Sequence, residues 1–167
     1  DGVLRESGIY VKGKRNGTFT EYYQDGVTPR KETPMQQGKI DGTVKTYFRN
    51  GKIEAEKEYK QSVESGRERR FDSKTGEQIF ESHYIDGKKD GEEWEIFEAA
   101  STLRSRIIRH YRNGKLDGSY RVESTRDGKP YITIEGQYTD GEKSGQWIEH
   151  NYDNNTQTCT WHGEGGA

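Results

Sequence analysis

The sequence predicts an all-β fold, an elongated antiparallel meander of consecutive β-hairpins, from three observations. An eight-residue pattern, exemplified by YRNGKLDG, recurs along the chain with an aromatic residue first and glycine at its fourth and eighth positions. Segments of six to eight residues rich in Thr, Val, Tyr and Phe lie between Asn-Gly or Asp-Gly pairs, a pattern typical of hairpins. The chain holds 21 Gly and 3 Pro, which suits many tight turns.

Six copies of this octad are present at steps of 24 to 27 residues. Met35 replaces the aromatic residue in the second copy, and Ser62 replaces the first glycine in the third. A fixed period of this length indicates an array in which each repeat packs on its neighbours. We therefore predict one repeat domain over residues 1–167, with a degenerate cap from Thr160. The octads begin at Tyr10, Met35, Tyr59, Tyr84, Tyr111 and Tyr138.

Each interval between octads contains two extended segments joined by a second turn. The interval after Gly42 is the clearest: TVKTYF, the turn RNG, and KIEAEKEY. Each repeat is therefore predicted as strand, turn, strand, turn. The second turn is marked in four repeats by Gly26, Gly51, Gly76 and Gly128.

Side chains alternate between the two faces of a strand, so the faces can be assigned from the octad aromatic residues. Counting back in steps of two gives an apolar face with Ala55, Phe80, Ile107 and Ile134. The positions between them are polar, as in Glu54, Glu56 and Glu58. The sequence thus predicts one apolar and one polar face.

The strand after each octad adds two further columns of side chains. Phe19, Val44, Trp94, Tyr120 and Trp147 follow the octad glycine by two or three residues, and we interpret them as an inner, structural column. A second column follows three residues later and contains Tyr22, Tyr47, Phe97 and His150. Because this offset is odd, the second column lies on the opposite face of the strand. The second column and Arg106 are the predicted partner contacts.

Composition excludes several classes of protein. Hydrophobic residues are only 27% and charged residues 34%, which argues against a large core, while 11 Tyr, 5 Phe and 3 Trp with a net charge of −2 argue against disorder. The balanced charge gives no long-range attraction for nucleic acid or anionic lipid. No run of 18 apolar residues is present, and Cys159, the single cysteine, precludes an internal disulfide.

The chain begins at Asp1 without an initiator Met or a hydrophobic segment, so we expect a mature or trimmed fragment. The compartment is undefined by the sequence. The bacterial periplasm or envelope is slightly favoured over the cytoplasm.

No catalytic, cofactor or metal site is predicted. His83 and His110 hold equivalent positions, but equivalent strands are separated by about 9–10 Å, too far for a shared zinc. Cys159 and His162 lack the surrounding groups of a nucleophilic site. The Arg-rich stretches near Arg69 and Arg106 are interspersed with Glu, which indicates cross-strand ion pairing rather than nucleic-acid or lipid binding.

The octad and its following strand resemble the MORN-type repeat (membrane occupation and recognition nexus), in the bacterial variant described as a YwqK-like antitoxin component. The resemblance covers nearly all of the chain. The residues that carry it in one repeat are Tyr84, Gly87, Gly91 and Trp94, with matching sets in the first, second, fifth and sixth octads.

The resemblance implies a single-layer sheet that acts as a non-enzymatic binding surface for another protein, in bacteria an immunity protein that neutralises a toxin or effector. Three alternatives stay open: a membrane-associated MORN scaffold, an envelope structural protein and, least favoured, an enzyme. Nucleic acid is not an expected partner. Open sheet edges also suggest a homodimer.

Overall fold

The computed structural model describes residues 2–100, 103–126, 128–151 and 154–163, and all regular structure in these residues is β-strand. The predicted all-β meander of consecutive hairpins is therefore confirmed. No described helix is long and apolar enough to cross a membrane. The strands are β1 (Glu6–Val11), β2 (Lys14–Tyr22), β3 (Pro29–Gln36), β4 (Lys39–Ile40), β5 (Gly42–Tyr47), β6 (Ile53–Lys60), β7 (Val63–Phe71), β8 (Gln78–Ile85), β9 (Lys88–Lys89), β10 (Gly91–Ala100), β11 (Leu103–Arg112), β12 (Lys115–Arg126), β13 (Lys129–Thr139), β14 (Glu142–Asn151) and β15 (Thr156–His162).

Backbone contacts divide the chain into two compact units, residues 1–88 and 89–167. In the first unit the strand order is β1-β2-β3-β5-β6-β7-β8, with β4 also paired to β3. In the second it is β10-β11-β12-β13-β14-β15. Neighbouring strands in both units are antiparallel and follow one another along the chain, except that β3 pairs with β5 as well as with the short β4. The prediction of a single domain stays a prediction.

The octads form tight turns whose backbone explains their composition. In all six copies the third residue has a φ between 48° and 52°, and the fourth also has a positive φ. Two consecutive left-handed residues make a type I′ turn, which favours Asn, Asp and Gly. Ser62 adopts φ 70° at the position that is glycine in the other copies. Gly26, Gly51, Gly76 and Gly128 have positive φ at the second turns, as predicted.

Successive octad turns are linked by a repeated backbone hydrogen bond. The N–H of the fourth residue of one octad donates to the carbonyl of the sixth residue of the octad before it. In the first unit the bonds are Gly38 to Arg15 (2.8 Å), Ser62 to Ile40 (2.7 Å) and Gly87 to Glu64 (2.9 Å), and in the second Gly114 to Lys89 (2.7 Å) and Gly141 to Leu116 (2.8 Å). The octads therefore couple each repeat to the next.

We call the face that holds the octad aromatic residues the tyrosine face. Side chains that lie opposite each other on paired strands share a face, so the strand register traces a row across the tyrosine face of each unit, here named the central row. In the first unit it contains Phe19, Thr33, Val44, Lys57, Glu68 and Ser82. In the second it contains Glu93, Arg109, Tyr120, Gly136, Trp147 and Thr160.

Two glycines are required by the packing of this row. A Cβ atom on Gly8 would lie 2.4 Å from the ring of Phe19, and a Cβ atom on Gly136 would lie 2.3 Å from the ring of Trp147. Both rings are buried. Each aromatic side chain therefore lies over a glycine of the adjacent strand, and no larger residue fits without moving the ring.

The inner position predicted for Trp94 was wrong. Trp94 follows the octad glycine Gly91 by three residues, whereas the buried residues of the other repeats follow it by two. Because faces alternate, Glu93 takes the central row and Trp94 lies on the opposite face, paired with Ile108. Phe97, predicted for the opposite face, lies on the tyrosine face by the same alternation. On the strand that follows each octad, only the residue two positions past the glycine reaches the central row.

Candidate interaction surfaces

Two carboxylates are buried in the central row. They occupy the position two residues after the octad glycine, where the other four repeats have an apolar or aromatic side chain. Glu68 is 6% exposed and Glu93 is 1% exposed. Their equivalents two residues after an octad glycine are Phe19, Val44, Tyr120 and Trp147. The sequence interpretation missed both, although their spacing from Gly66 and Gly91 would have identified them.

Glu68 is neutralised by two basic side chains. Its Oε1 accepts hydrogen bonds from Nε and Nη2 of Arg70, at 2.9 and 2.6 Å, and its Oε2 lies 3.1 Å from Nζ of Lys57. Tyr84 also donates from Oη to Oε2 at 3.1 Å. Lys57 lies over the Tyr84 ring at 4.6 Å and contacts Glu64 at 2.8 Å. A buried charge is tolerated when it is paired and hydrogen-bonded in this way.

Burial and pairing act on the Glu68 cluster in opposite directions. Burial tends to raise the pKa of Glu68, but the hydrogen bonds and charges of Arg70 and Lys57 outweigh it, so that pKa is lowered. Burial tends to lower the pKa of Lys57, yet its bonds to Glu64 and Glu68 raise it. Burial and then the Glu68 charge raise the pKa of Tyr84 to about 12. At neutral pH the cluster holds an ionised glutamate and a neutral tyrosine.

Glu93 has a comparable set of partners in the second unit. Lys89 pairs with its Oε2, and Arg109 donates from Nη1 to its Oε1 at 2.7 Å. Arg109 also donates from Nη2 to Glu95 at 3.0 Å, and Tyr111 donates to Glu93 at 3.4 Å. In both clusters the tyrosine of the following octad contacts the buried carboxylate. Both carboxylates pair with basic side chains of the same chain. The tyrosine face therefore has a mainly structural role around Glu68 and around Glu93.

The opposite face of the second unit contains a shallow depression of about 420 Å³. Ile108, which is buried, and Ile148 supply its apolar lining. Polar and charged side chains surround them, among them Glu92, Arg121 and Glu135. A small apolar patch within a mixed polar rim is the composition of a protein contact surface.

A serine and a histidine meet at this depression. Ser119 Oγ lies 3.0 Å from Nδ1 of His110. The same nitrogen lies 3.2 Å from the carbonyl oxygen of Ser119, which can only accept a hydrogen bond. A hydrogen bond from Nδ1 to this carbonyl requires the tautomer with its proton on Nδ1, and in that tautomer Nδ1 cannot remove a proton from the hydroxyl.

Two of the predicted contact residues lie on the opposite face of the first unit. Tyr22 Oη is 3.0 Å from Ser7 Oγ. Tyr47 donates from Oη to Glu32 at 2.6 Å, and burial followed by this bond raises the pKa of Tyr47 to about 12. Both rings are half-buried. Their hydroxyls are already hydrogen-bonded within the chain, so their exposed ring edges are what a partner would contact.

Two others lie on the opposite face of the second unit. The Arg106 guanidinium lies 4.5 Å over the Trp94 ring. His150 Nε2 is 3.1 Å from Glu135, a residue of the depression. His150 is thus close to the candidate surface, while Phe97 is on the tyrosine face. Their role in binding stays a prediction.

The described residues contain no group of three or more His, Cys, Asp or Glu side chains that could hold a metal ion. The chain matches no family model. It also matches no curated protein.

Proposed function

We propose that this chain is a non-enzymatic recognition module that binds another protein through the opposite face of its second unit. The depression around Ile108 and Ile148 supports this proposal, because it combines apolar lining with a rim of both charge signs. The tyrosine face is occupied by the repeated packing residues and the paired carboxylates. The opposite face is therefore the better candidate for specific contact.

The sharper form of the proposal is an immunity protein that neutralises a bacterial toxin or effector. It rests on the resemblance of the octads to MORN-type repeats of the YwqK-like variant. Coexpression with the product of the adjacent gene tests it. We expect a one-to-one complex by size-exclusion chromatography with light scattering, and restored growth of cells that express that product. Absence of both results would argue against neutralisation.

A pair of variants on β14 tests the surface itself. Gln146 lines the depression, whereas Glu149 is exposed and pairs with Ile134, a tyrosine-face residue. Gln146→Arg places a long charged side chain in the depression and should weaken the complex at least tenfold. Glu149→Arg introduces the same side chain on the other face and should leave affinity unchanged. Equal effects of the two variants would exclude the depression as the contact.

Liposome sedimentation tests the membrane-scaffold alternative. That alternative expects binding to vesicles containing anionic lipid that weakens as salt is added. The balanced net charge of −2 gives no reason to expect such binding. Salt-sensitive sedimentation would therefore favour the scaffold over the recognition module.

A further inference from the structure

Strand β1 exposes apolar side chains on an edge that no other described strand covers. All six of its residues are exposed, and β2 is its neighbour on one side only. Ile9 is 67% and Tyr10 58% exposed, whereas the five other octad residues at the Tyr10 position are only partly exposed. An exposed apolar edge strand offers backbone and side-chain groups for pairing with another strand.

The packing on β1 has a counterpart at β13. Tyr10 and Phe19 meet edge to face at 5.4 Å and 89°, as Tyr138 and Trp147 do at 5.2 Å and 87°. Gly8 makes room for Phe19 as Gly136 makes room for Trp147. Strands β1 and β13 therefore share the sequence Gly-x-Tyr and the same use of its glycine.

At β13 the other side of this motif is filled by a second Gly-x-Tyr segment. Gly118 lies opposite Tyr138, and Tyr120 lies opposite Gly136. The Tyr120 ring then packs on Tyr138 at 5.8 Å and on Trp147 at 5.2 Å. Two antiparallel Gly-x-Tyr segments thus lie in a reciprocal register, with each glycine opposite the other segment's tyrosine.

We propose that β1 pairs antiparallel with β1 of a second copy of this chain, with each Gly8 opposite the partner's Tyr10. In this register Ile9 lies opposite the partner's Ile9, and the two-fold axis passes between them. A segment that contains both halves of a reciprocal motif is complementary to itself. The antiparallel direction also brings Glu6 toward the partner's Lys12, whereas a parallel arrangement would align like charges.

The test is the molar mass of the chain in solution across a range of concentrations. We expect the mass to rise from that of the monomer to that of a dimer. Ile9→Lys places two like charges opposite each other at the axis and should abolish dimerisation. Ile85→Lys is the matched control, because Ile85 is 59% exposed at the end of β8 and lies away from β1. Circular dichroism confirms that both variants are folded.

A cysteine variant tests the register. In a Cys159→Ser background, Ile9→Cys should form a disulfide-linked dimer on mild oxidation, since directly opposed residues are about 4.5–5.5 Å apart between Cα atoms. Lys12→Cys should crosslink at least tenfold more slowly, because the partner's Glu6 would lie opposite it.

A mass that stays monomeric at every concentration would overturn the proposal, as would a dimer that survives Ile9→Lys. Loss of the dimer in both lysine variants would show that β1 is not its site. A monomeric chain whose complex with another protein is weakened by Ile9→Lys would assign the edge to a strand of that protein instead of a second copy.

Discussion

Tyr84 donates a hydrogen bond from Oη to the buried carboxylate of Glu68 at 3.1 Å. This contact links the tyrosine that begins one octad to a residue of the strand preceding it. Tyr84 therefore both fills the tyrosine face and solvates a charge, since water has little access to Glu68. The octad aromatic position has a polar function wherever the central row contains a carboxylate.

Substitution of Glu68 by Gln should destabilise the protein by about 3 kcal/mol, because Lys57 and Arg70 lose a buried charged partner. The measurement is urea unfolding followed by circular dichroism. Glu54→Gln, an exposed change on the neighbouring strand β6, serves as the control and should have little effect. Equal stability of both variants would show that the Glu68 cluster contributes nothing.

A double variant separates the charge from the packing. Glu68→Val with Lys57→Thr introduces the residues found at the equivalent positions one repeat earlier, Val44 and Thr33. Because an apolar replacement of a buried ion pair is often neutral or stabilising, this variant should be at least about 2 kcal/mol more stable than Glu68→Gln. A double variant that is as unstable as Glu68→Gln would contradict this view.

Acid should weaken the fold through the same carboxylate. The pKa of Glu68 is lower in the folded chain than its usual value of 4.5, so the folded state binds its proton less tightly than the unfolded state. Its contribution to stability is therefore present above pH 4.5 and is lost as the pH falls through the lowered pKa. Glu68→Gln should flatten this part of the dependence of unfolding free energy on pH. If Glu68→Gln lost unfolding free energy in acid as steeply as the parent chain, the assignment of this loss to Glu68 would be contradicted.

Alkali should act through Tyr84, whose pKa is raised from 10.0 to about 12. A raised pKa means that the stability it contributes is complete below pH 10 and declines as the pH rises toward 12. Ultraviolet absorbance should show late ionisation of this tyrosine, and Tyr84→Phe should remove that late component. Tyr47, with a pKa also raised to about 12, should retain its own late component in the variant.

The turns could be predicted from the sequence because their chemistry is local. Consecutive positive φ values at Asn113 and Gly114 follow from residues that tolerate that conformation. The central row was harder to predict, because an error of one residue moves a side chain to the other face of the strand. This error placed Trp94 in the row instead of Glu93. The reciprocal fit of Gly118 and Tyr138 depends on strand register, which composition does not determine.

Ser62 tests the balance between backbone strain and a hydrogen bond. Its φ of 70° disfavours any residue with a side chain, but its Oγ accepts a hydrogen bond from the N–H of Ile40 at 3.0 Å. Ser62→Ala keeps the strain and loses the bond, so it should cost about 1 kcal/mol. Ser62→Gly loses both and should be close to neutral in urea unfolding. Equal costs for Ala and Gly would show that the strain is not significant, and a Ser62→Ala variant as stable as the parent would show that the bond is not.

Trp147 and Trp94, which lie on opposite faces, should differ in their effect on stability. Trp147 is 5% exposed, packs against Tyr120 and Tyr138, and donates from Nε1 to the carbonyl of Gln137 at 3.1 Å. Trp147→Ala should therefore cost about 3–5 kcal/mol. Trp94 is half-buried beneath Arg106, so Trp94→Ala should cost only about 1–2 kcal/mol. Urea unfolding of the two variants checks the difference. A larger loss of stability in Trp94→Ala than in Trp147→Ala would indicate that Trp94 belongs to the structural column. That result would contradict the placement of Glu93 in the central row.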